Sequence, residues 1–112
     1  MGHVTLPSLT AEQRAEALEK AAAARRARAE VKDRLKREGA GGLAELLEQA
    51  KTDDVIGKMK VTALLEALPG IGKVRAVQIM DQVGISGSRR VRGLGRNQVA
   101  ALLEHFADQT AS

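Results

Sequence analysis

The stretch Leu64-Leu-Glu-Ala-Leu-Pro-Gly-Ile-Gly-Lys-Val-Arg-Ala-Val-Gln-Ile-Met80 decides how this chain is read. Its first residues continue an apolar helical pattern that begins at Val61 and runs through Leu64, Leu65 and Leu68. Pro69 ends that helix, because proline lacks a backbone N–H and its ring clashes with the preceding turn. Gly70 and Gly72 are expected to supply backbone angles that other residues avoid, and to leave room for close approach. Ile71 between them is expected to anchor the turn in the core. A second helix then spans 73–83, carrying Val74, Val77, Ile79 and Met80. Because this helix starts at the turn, its first N–H groups lack carbonyl partners and sit at the positive end of the helix dipole. Such amides make an anion site, for which phosphate is the natural ligand, and Lys73 and Arg75 are placed to reinforce it. The competing reading is an ordinary helical turn with glycine for packing.

Downstream, Ser88-Arg-Arg-Val-Arg-Gly-Leu-Gly-Arg96 holds four arginines within eight residues. Arg89, Arg90, Arg92 and Arg96, with Gly93 and Gly95 around Leu94, read as a second surface facing a nucleic-acid backbone; a solvated loop is the alternative. Asn97 is expected to cap a last helix that returns Leu102, Leu103 and Phe106 to the core. Upstream, Lys58 and Lys60 are weaker candidates of the same kind. Thr52, Asp53 and Asp54 offer a cap for a short helical turn interrupted at Gly57, and 43–51 reads as a short amphipathic helix.

The segment 39–42, Gly-Ala-Gly-Gly, is expected to be a turn. Before it, Thr10 and Gln13 form a capping-box pattern, and 11–38 contains neither Gly nor Pro. One long helix follows, with Glu16–Lys20 and Glu30–Arg34 spaced for ion pairs. Arg25, Arg28, Lys32 and Lys36 share one face, while Val31 and Leu35 mark another. The first half has little but alanine and Leu18 to bury, so this arm is expected to project in part from the body. No period-two pattern lasts a strand's length, and the fold class is all-α: a long N-terminal helix and a compact helical body. The organisation is a flexible tail at 1–9, a basic helical arm at 10–38 and a body at 39–112 containing the helix–hairpin–helix at 61–83.

Composition narrows the function. The chain has 112 residues, no cysteine, one aromatic residue (Phe106) and a net charge of +4. Without cysteine there is neither a disulfide framework nor a thiol nucleophile nor a zinc knuckle. One aromatic argues against a stacking platform for single strands. The two histidines, His3 and His105, are far apart and make no metal site. No apolar run is long enough to cross a bilayer, and no secretory signal opens the chain, so a cytoplasmic location is expected. The charge is unevenly spread: residues 58–96 hold eight basic and two acidic side chains, whereas 39–57 hold one and four. A concentrated basic block attracts polyanions. Asp81, the nearest acid to the hairpin, has no nucleophilic partner, so no enzymatic activity is expected.

Taken together, Pro-Gly-Ile-Gly-Lys-Val-Arg-Ala (69–76), Arg-Arg-Val-Arg-Gly-Leu-Gly (89–95) and Asp-Val-Ile-Gly-Lys-Met-Lys-Val (54–61) resemble the actinobacterial integration host factors. The opening helix, with Glu-Gln-Arg-Ala (12–15) and Leu-Glu-Lys-Ala-Ala-Ala-Ala-Arg-Arg-Ala-Arg-Ala-Glu (18–30), matches as well, so nearly the whole chain takes part. The hairpin alone is less specific, since it also occurs in a ribosomal small-subunit protein and in repair glycosylases with helix–two-turn–helix domains. The resemblance implies a nucleoid-associated protein that binds double-stranded DNA with little sequence preference, bends it or alters its topology, and supports phage integration alongside an integrase or other recombinase. It implies DNA contacts at Gly70, Ile71, Gly72, Lys73 and Arg75 and at the loop of Arg89, Arg90 and Arg92. Position adds Val74 beside the hairpin contacts, and the charge pattern adds Arg25, Arg28, Lys32 and Lys58 as further phosphate contacts. It also implies a monovalent cation held by the backbone carbonyls of Leu68 and Ile71, and otherwise no cofactor. A monomer in the cytoplasm and nucleoid, without membrane contact, is the expected form. Nothing is implied for 1–4 or 39–42.

Two rivals remain at this point. A ribosome-associated RNA-binding protein would use the same hairpin but would be expected to carry a long basic tail, and the C-terminus here is short and acidic. A protein-interaction module acting through the arm would need leucine where this helix has alanine at most seam positions.

Overall fold

The computed structural model describes residues 9–110, with side chains described as far as Ala107. The tail at 1–8, with His3 and Pro7, lies outside the described residues. Six helices follow in order: α1 (Ala11–Glu38), α2 (Ala40–Gln49), α3 (Asp54–Lys58), α4 (Val61–Ala67), α5 (Lys73–Val83) and α6 (Arg96–Thr110). The fold is all-α. The one extended pairing among the described residues is an isolated antiparallel bridge between Lys60 and Arg90.

Helix α1 begins where the capping box predicts. Thr10 Oγ1 accepts the Gln13 N–H at 3.0 Å, and Gln13 Oε1 accepts the Thr10 N–H at 3.0 Å. No residue from Ala11 to Glu30 is buried; Ala22, Ala24 and Ala27 only graze the body. Val31 and Leu35 then enter the core. The first half is therefore sustained by alanine propensity and its cap, the second by packing. The expected Glu16–Lys20 and Glu30–Arg34 pairs are not formed. Arg34 instead bonds Glu38 one turn on (2.9 Å) and reaches across to Glu45 and Gln49 of α2, where three acceptors converge on one guanidinium.

The expected turn at 39–42 contracts to Gly39 alone, whose φ of 67° breaks the helix. Ala40, Gly41 and Gly42 are the first turn of α2. Glycine is a poor helix former, by about 1 kcal/mol relative to alanine, yet burial of Leu43, Leu46 and Leu47 outweighs that cost. Gly42 also lies against Glu38, where an added Cβ would come within 3.1 Å of the Glu38 Cβ. Asp53 caps α3, its carboxylate accepting from the Val55 and Ile56 amides at 2.9 and 3.4 Å. The helix runs through Gly57 rather than stopping there. Helix α6 starts at Arg96, one residue before the expected cap at Asn97. Gln98, not Asn97, secures this end: its Oε1 accepts the Gly95 N–H at 3.0 Å while its amide donates to the Gly84 carbonyl at 3.1 Å.

Leu35, Leu43, Leu46, Ile56, Leu64, Leu65, Ile79, Met80 and Leu102 form the fully buried centre of one continuous core. Phe106 is buried at its edge, with the His105 ring edge-on at 5.2 Å between centroids. The molecule is 64 Å long and 30 by 25 Å across, the excess length lying along α1.

Candidate nucleic-acid interface

Helix α4 ends at Ala67 and the chain turns through Leu68–Gly72 into α5. Gly70 has a φ of 78°, a conformation L side chains rarely adopt, so glycine is required there. The Leu68 carbonyl accepts the Ile71 N–H at 3.2 Å, and Ile71 packs partly onto the core. Gly72 departs from expectation. Its φ of −94° and ψ of −175° are ordinary extended values, and nothing lies within 4 Å of where a Cβ would stand. The fold therefore does not demand glycine at 72; the open space in front of it is what a side chain would remove.

That space faces the start of α5. No side chain caps this helix, and its first backbone bond is from the Ala76 N–H to the Gly72 carbonyl at 3.0 Å. The amides of the first turn are thus left without helical acceptors, at the positive end of an 11-residue helix. Lys73, Val74 and Arg75 are all exposed around them.

The arginine loop is fixed to the body. Val61 N–H donates to the Arg89 carbonyl at 3.0 Å and Val91 N–H to the Met59 carbonyl at 2.9 Å, and Val91–Gly93 forms a single tight 3-10 turn. Arg90 Nη1 donates to the Lys58 carbonyl at 2.5 Å, Arg89 Nη1 to the Gly93 carbonyl at 3.3 Å, and Arg92 Nη2 pairs with Asp54 at 3.2 Å. Each guanidinium spends one of its five donors and keeps the rest. Arg92 and Asp54 are both more than half exposed, so their pair orients the loop more than it stabilises the fold. Arg96 at the start of α6 is exposed, as are Gly93 and Gly95.

This pinning brings the candidate residues together. Arg28 and Lys32 of α1 face Lys58, Lys60 and Arg90 across a groove of about 400 Å³ with Ala24, Val55, Met59 and Ala63 at its base. Further along α1, Lys32 and Lys36 lie beside Ala63, Glu66 and Ala67 of α4. At its end, Gly39 and Ala40 border the hairpin at Leu68–Ile71, together with Arg75 and Phe106. Helices α1 and α4 thus run side by side in the same direction, from the arginine loop to the hairpin. Arg28, Lys32 and Lys36, four residues apart, make a basic ladder with a rise of about 6 Å per rung along that path. Arg25 is exposed on the arm and does not line the groove.

Asp54, expected only as part of a helix cap, is the residue that sequence reasoning did not place at the site, and Lys60, a weaker candidate there, stands in the groove. Lys60 and Arg90 are thirty residues apart in the chain, and no local pattern announces that they share a bridge. Among the described residues no group of three or more His, Cys, Asp or Glu could hold a metal ion, and no helix is long and apolar enough to cross a membrane.

Comparison with known proteins shows the family. Residues 35–106 match the S13-like H2TH domain family, which spans α2 to α6 and the root of α1. The integration host factor of Streptomyces coelicolor is 68% identical over 103 residues, covering 92% of this chain and 95% of that protein. Those of Mycolicibacterium smegmatis and Mycobacterium tuberculosis are 64% and 63% identical over the same length, each 97% covered. A solved structure described as sIHF bound to an 8-base-pair palindromic DNA superposes with a TM-score of 0.75 at 68% identity, covering 79% of this chain and 98% of that one. On these identities, over nearly its whole length, the chain belongs to the actinobacterial integration host factors.

Proposed function

We propose that this protein is a non-enzymatic architectural protein that holds duplex DNA by its backbone, with little sequence preference, and bends it or alters its topology. The observation that carries the reading is the continuity between the basic ladder of α1 and the free amides at the start of α5. The amides take one phosphate, with Lys73 and Arg75 on either side. Arg28, Lys32, Lys58, Lys60 and Arg90 take others along the groove, and Arg25, Arg89, Arg92 and Arg96 extend the positive surface outward. Contacts of this kind position DNA without reading base edges, hence the low specificity. Smooth bending of a short site costs about 1–6 kcal/mol, which several charge-assisted contacts offset. The DNA-bound relative at 68% identity supports the same reading. The RNA-binding rival loses its ground, because the relatives matched over 92% of the chain are integration host factors. Location in the nucleoid, action as a monomer and assistance to a phage integrase or other recombinase belong to the same proposal.

The proposal extends to a monovalent cation at the hairpin. The donors on offer there are neutral backbone carbonyls, those of Leu68 and Ile71, and among the described residues no carboxylate cluster stands by to favour a divalent ion. Such a cation would stiffen the turn in front of the amides.

The test is an anisotropy titration of duplex DNA, single-stranded DNA and duplex RNA against salt. With about six or more phosphate contacts, duplex affinity should fall roughly a thousandfold between 50 and 200 mM salt. Gly72→Val supplies the decisive variant, since the fold leaves room for the side chain. It should keep its helical circular dichroism and lose about a hundredfold in affinity, the equivalent of two hydrogen bonds to a charged group. A folded Gly72→Val that binds as the parent does would rule out the hairpin as the anion site.

A further inference from the structure

Two large apolar side chains of α5 have no part in the core. Val74 is 73% exposed and Val77 50%. Among the described residues the other large apolar side chains exposed to this degree, Leu9 and Leu18, lie on or before the arm, far from the hairpin in the chain. At 100° per residue, the buried Ala76, Ile79 and Met80 mark the inner face of α5, and Val74 stands opposite them with Val77 one turn on. Lys73 and Arg75 diverge to the two flanks. The helix therefore presents an apolar strip, bracketed by cations, immediately behind the free amides of its first turn. Valine is a mediocre helix former, and at these exposures it gains little from burial. Nothing in the fold accounts for it.

The amides and cations grip a phosphate, and a phosphate is the same in DNA and RNA. The choice between the two comes from the form of the helix or from groups that meet the sugar, and this surface offers the second. A phosphate seated on the amides of α5 has a sugar on each side, and the surface next to the amides is the Val74–Val77 strip. Deoxyribose offers a methylene at its 2′ position, which an apolar surface accepts. Ribose offers a hydroxyl, both donor and acceptor, that would lose its water and find no partner among valine methyl groups.

We infer that Val74 and Val77 form a deoxyribose-selective contact and are the residues by which this hairpin prefers DNA to RNA. The inference rests on the proposed seating of a duplex phosphate at the start of α5, and Lys73 and Arg75 supply the charge complementarity that holds the backbone over the strip.

The experiment measures binding of the full chain to three duplexes of one sequence: DNA, RNA, and RNA with every 2′-hydroxyl replaced by fluorine, which keeps the RNA helix form but removes the hydroxyl donor. The parent should favour DNA over RNA by about tenfold or more, the cost of leaving a hydroxyl unpartnered, with the fluorinated duplex regaining much of the difference. Val74→Thr/Val77→Thr, nearly isosteric and at exposed positions, should narrow the DNA-to-RNA ratio by giving the hydroxyl a partner. Val74→Thr alone should narrow it part of the way. Equal treatment of RNA and fluorinated RNA by the parent would mean that helix shape decides, and would overturn the inference. A DNA-to-RNA ratio that stays at the parent value in both threonine variants would overturn it as well. Gly72→Val separates the two levels. If it abolishes DNA binding while the threonine variants leave the ratio alone, the sugar contact is wrong and the phosphate site stands. If Gly72→Val binds normally, the phosphate site itself is wrong and the sugar contact falls with it.

Discussion

The outer half of α1 and the body obey different energetics. From Ala11 to Glu30 nothing is buried, and helix there depends on alanine, a capping box and the continuity of the backbone hydrogen bonds. From Val31 onward nineteen apolar residues share one core. The same chain thus holds one segment that is stable because of its own composition and another that is stable because of its neighbours. A change in the first should be felt locally, whereas a change in the second should be felt everywhere.

The largest expected effect is at the junction. Leu35 is fully buried and is the last core residue of α1. Leu35→Ala should destabilise the fold by about 2–5 kcal/mol and lower the melting temperature by roughly 10 °C or more. Calorimetry would check this, and a shift under a few degrees would show that the arm's root is not part of the cooperative unit.

A chain beginning at Val31 comes next. It keeps Val31 and Leu35, so a cooperative thermal transition should persist. Having lost Arg25 and Arg28, it should bind duplex DNA about tenfold more weakly or worse, with the salt slope reduced by about one unit per lost contact. Loss of cooperative melting would show that the grazing alanines hold the body together. An unchanged salt slope with intact folding would remove the arm from the DNA interface alone.

A finer comparison uses one kind of interaction in both regions. Thr10 caps α1 and Asp53 caps α3, each through its side-chain oxygen. Replacing either by alanine costs about 1 kcal/mol locally. Asp53→Ala should lower the melting temperature by about 4–8 °C, whereas Thr10→Ala should reduce helical circular dichroism by a few residues' worth and leave the melting temperature in place. Equal shifts in melting temperature would erase the distinction between the two regions.

The smallest expected effect concerns the hairpin cation. Replacing potassium by tetramethylammonium, too large for the turn, at constant ionic strength should weaken DNA binding of the parent by a few-fold, on the scale of one lost contact. The change should be absent in Gly72→Val, where the phosphate site is already blocked. No difference between the two salts in the parent would discard the cation.

What could be read from the sequence follows the same division. Helices α1 and α5 were legible to the residue, because each carries its own start and stop: Thr10 with Gln13 and Gly39, then Gly72 and Gly84. The hairpin's chemistry was legible for the same reason, although Gly72 proved to be glycine for access rather than for backbone angle. The start of α2 was not legible, since burial of Leu43, Leu46 and Leu47 overrode two helix-poor glycines. Nor was the cap of α6, where Gln98 reaches back to Gly95 and Gly84 from inside the helix. The groove was the least legible feature. It depends on the Met59–Val61 and Arg89–Val91 segments meeting backbone to backbone, and those bonds leave no trace in side-chain pattern.

Arg34 gives the arm a mechanical property. The segment from Val31 back to Thr10 is a rod of about 31 Å at 1.5 Å per residue, rooted by the buried Val31 and Leu35 and braced where Arg34 joins α1 to Glu45 and Gln49 of α2. A tilt of about 10° at that joint carries the tip of such a rod through roughly 5 Å. The exposed Arg34–Glu45 contact is also one that salt weakens. Ionic strength should therefore act on this molecule as leverage as well as screening: ions that weaken the Arg34 contact would loosen one brace of the lever.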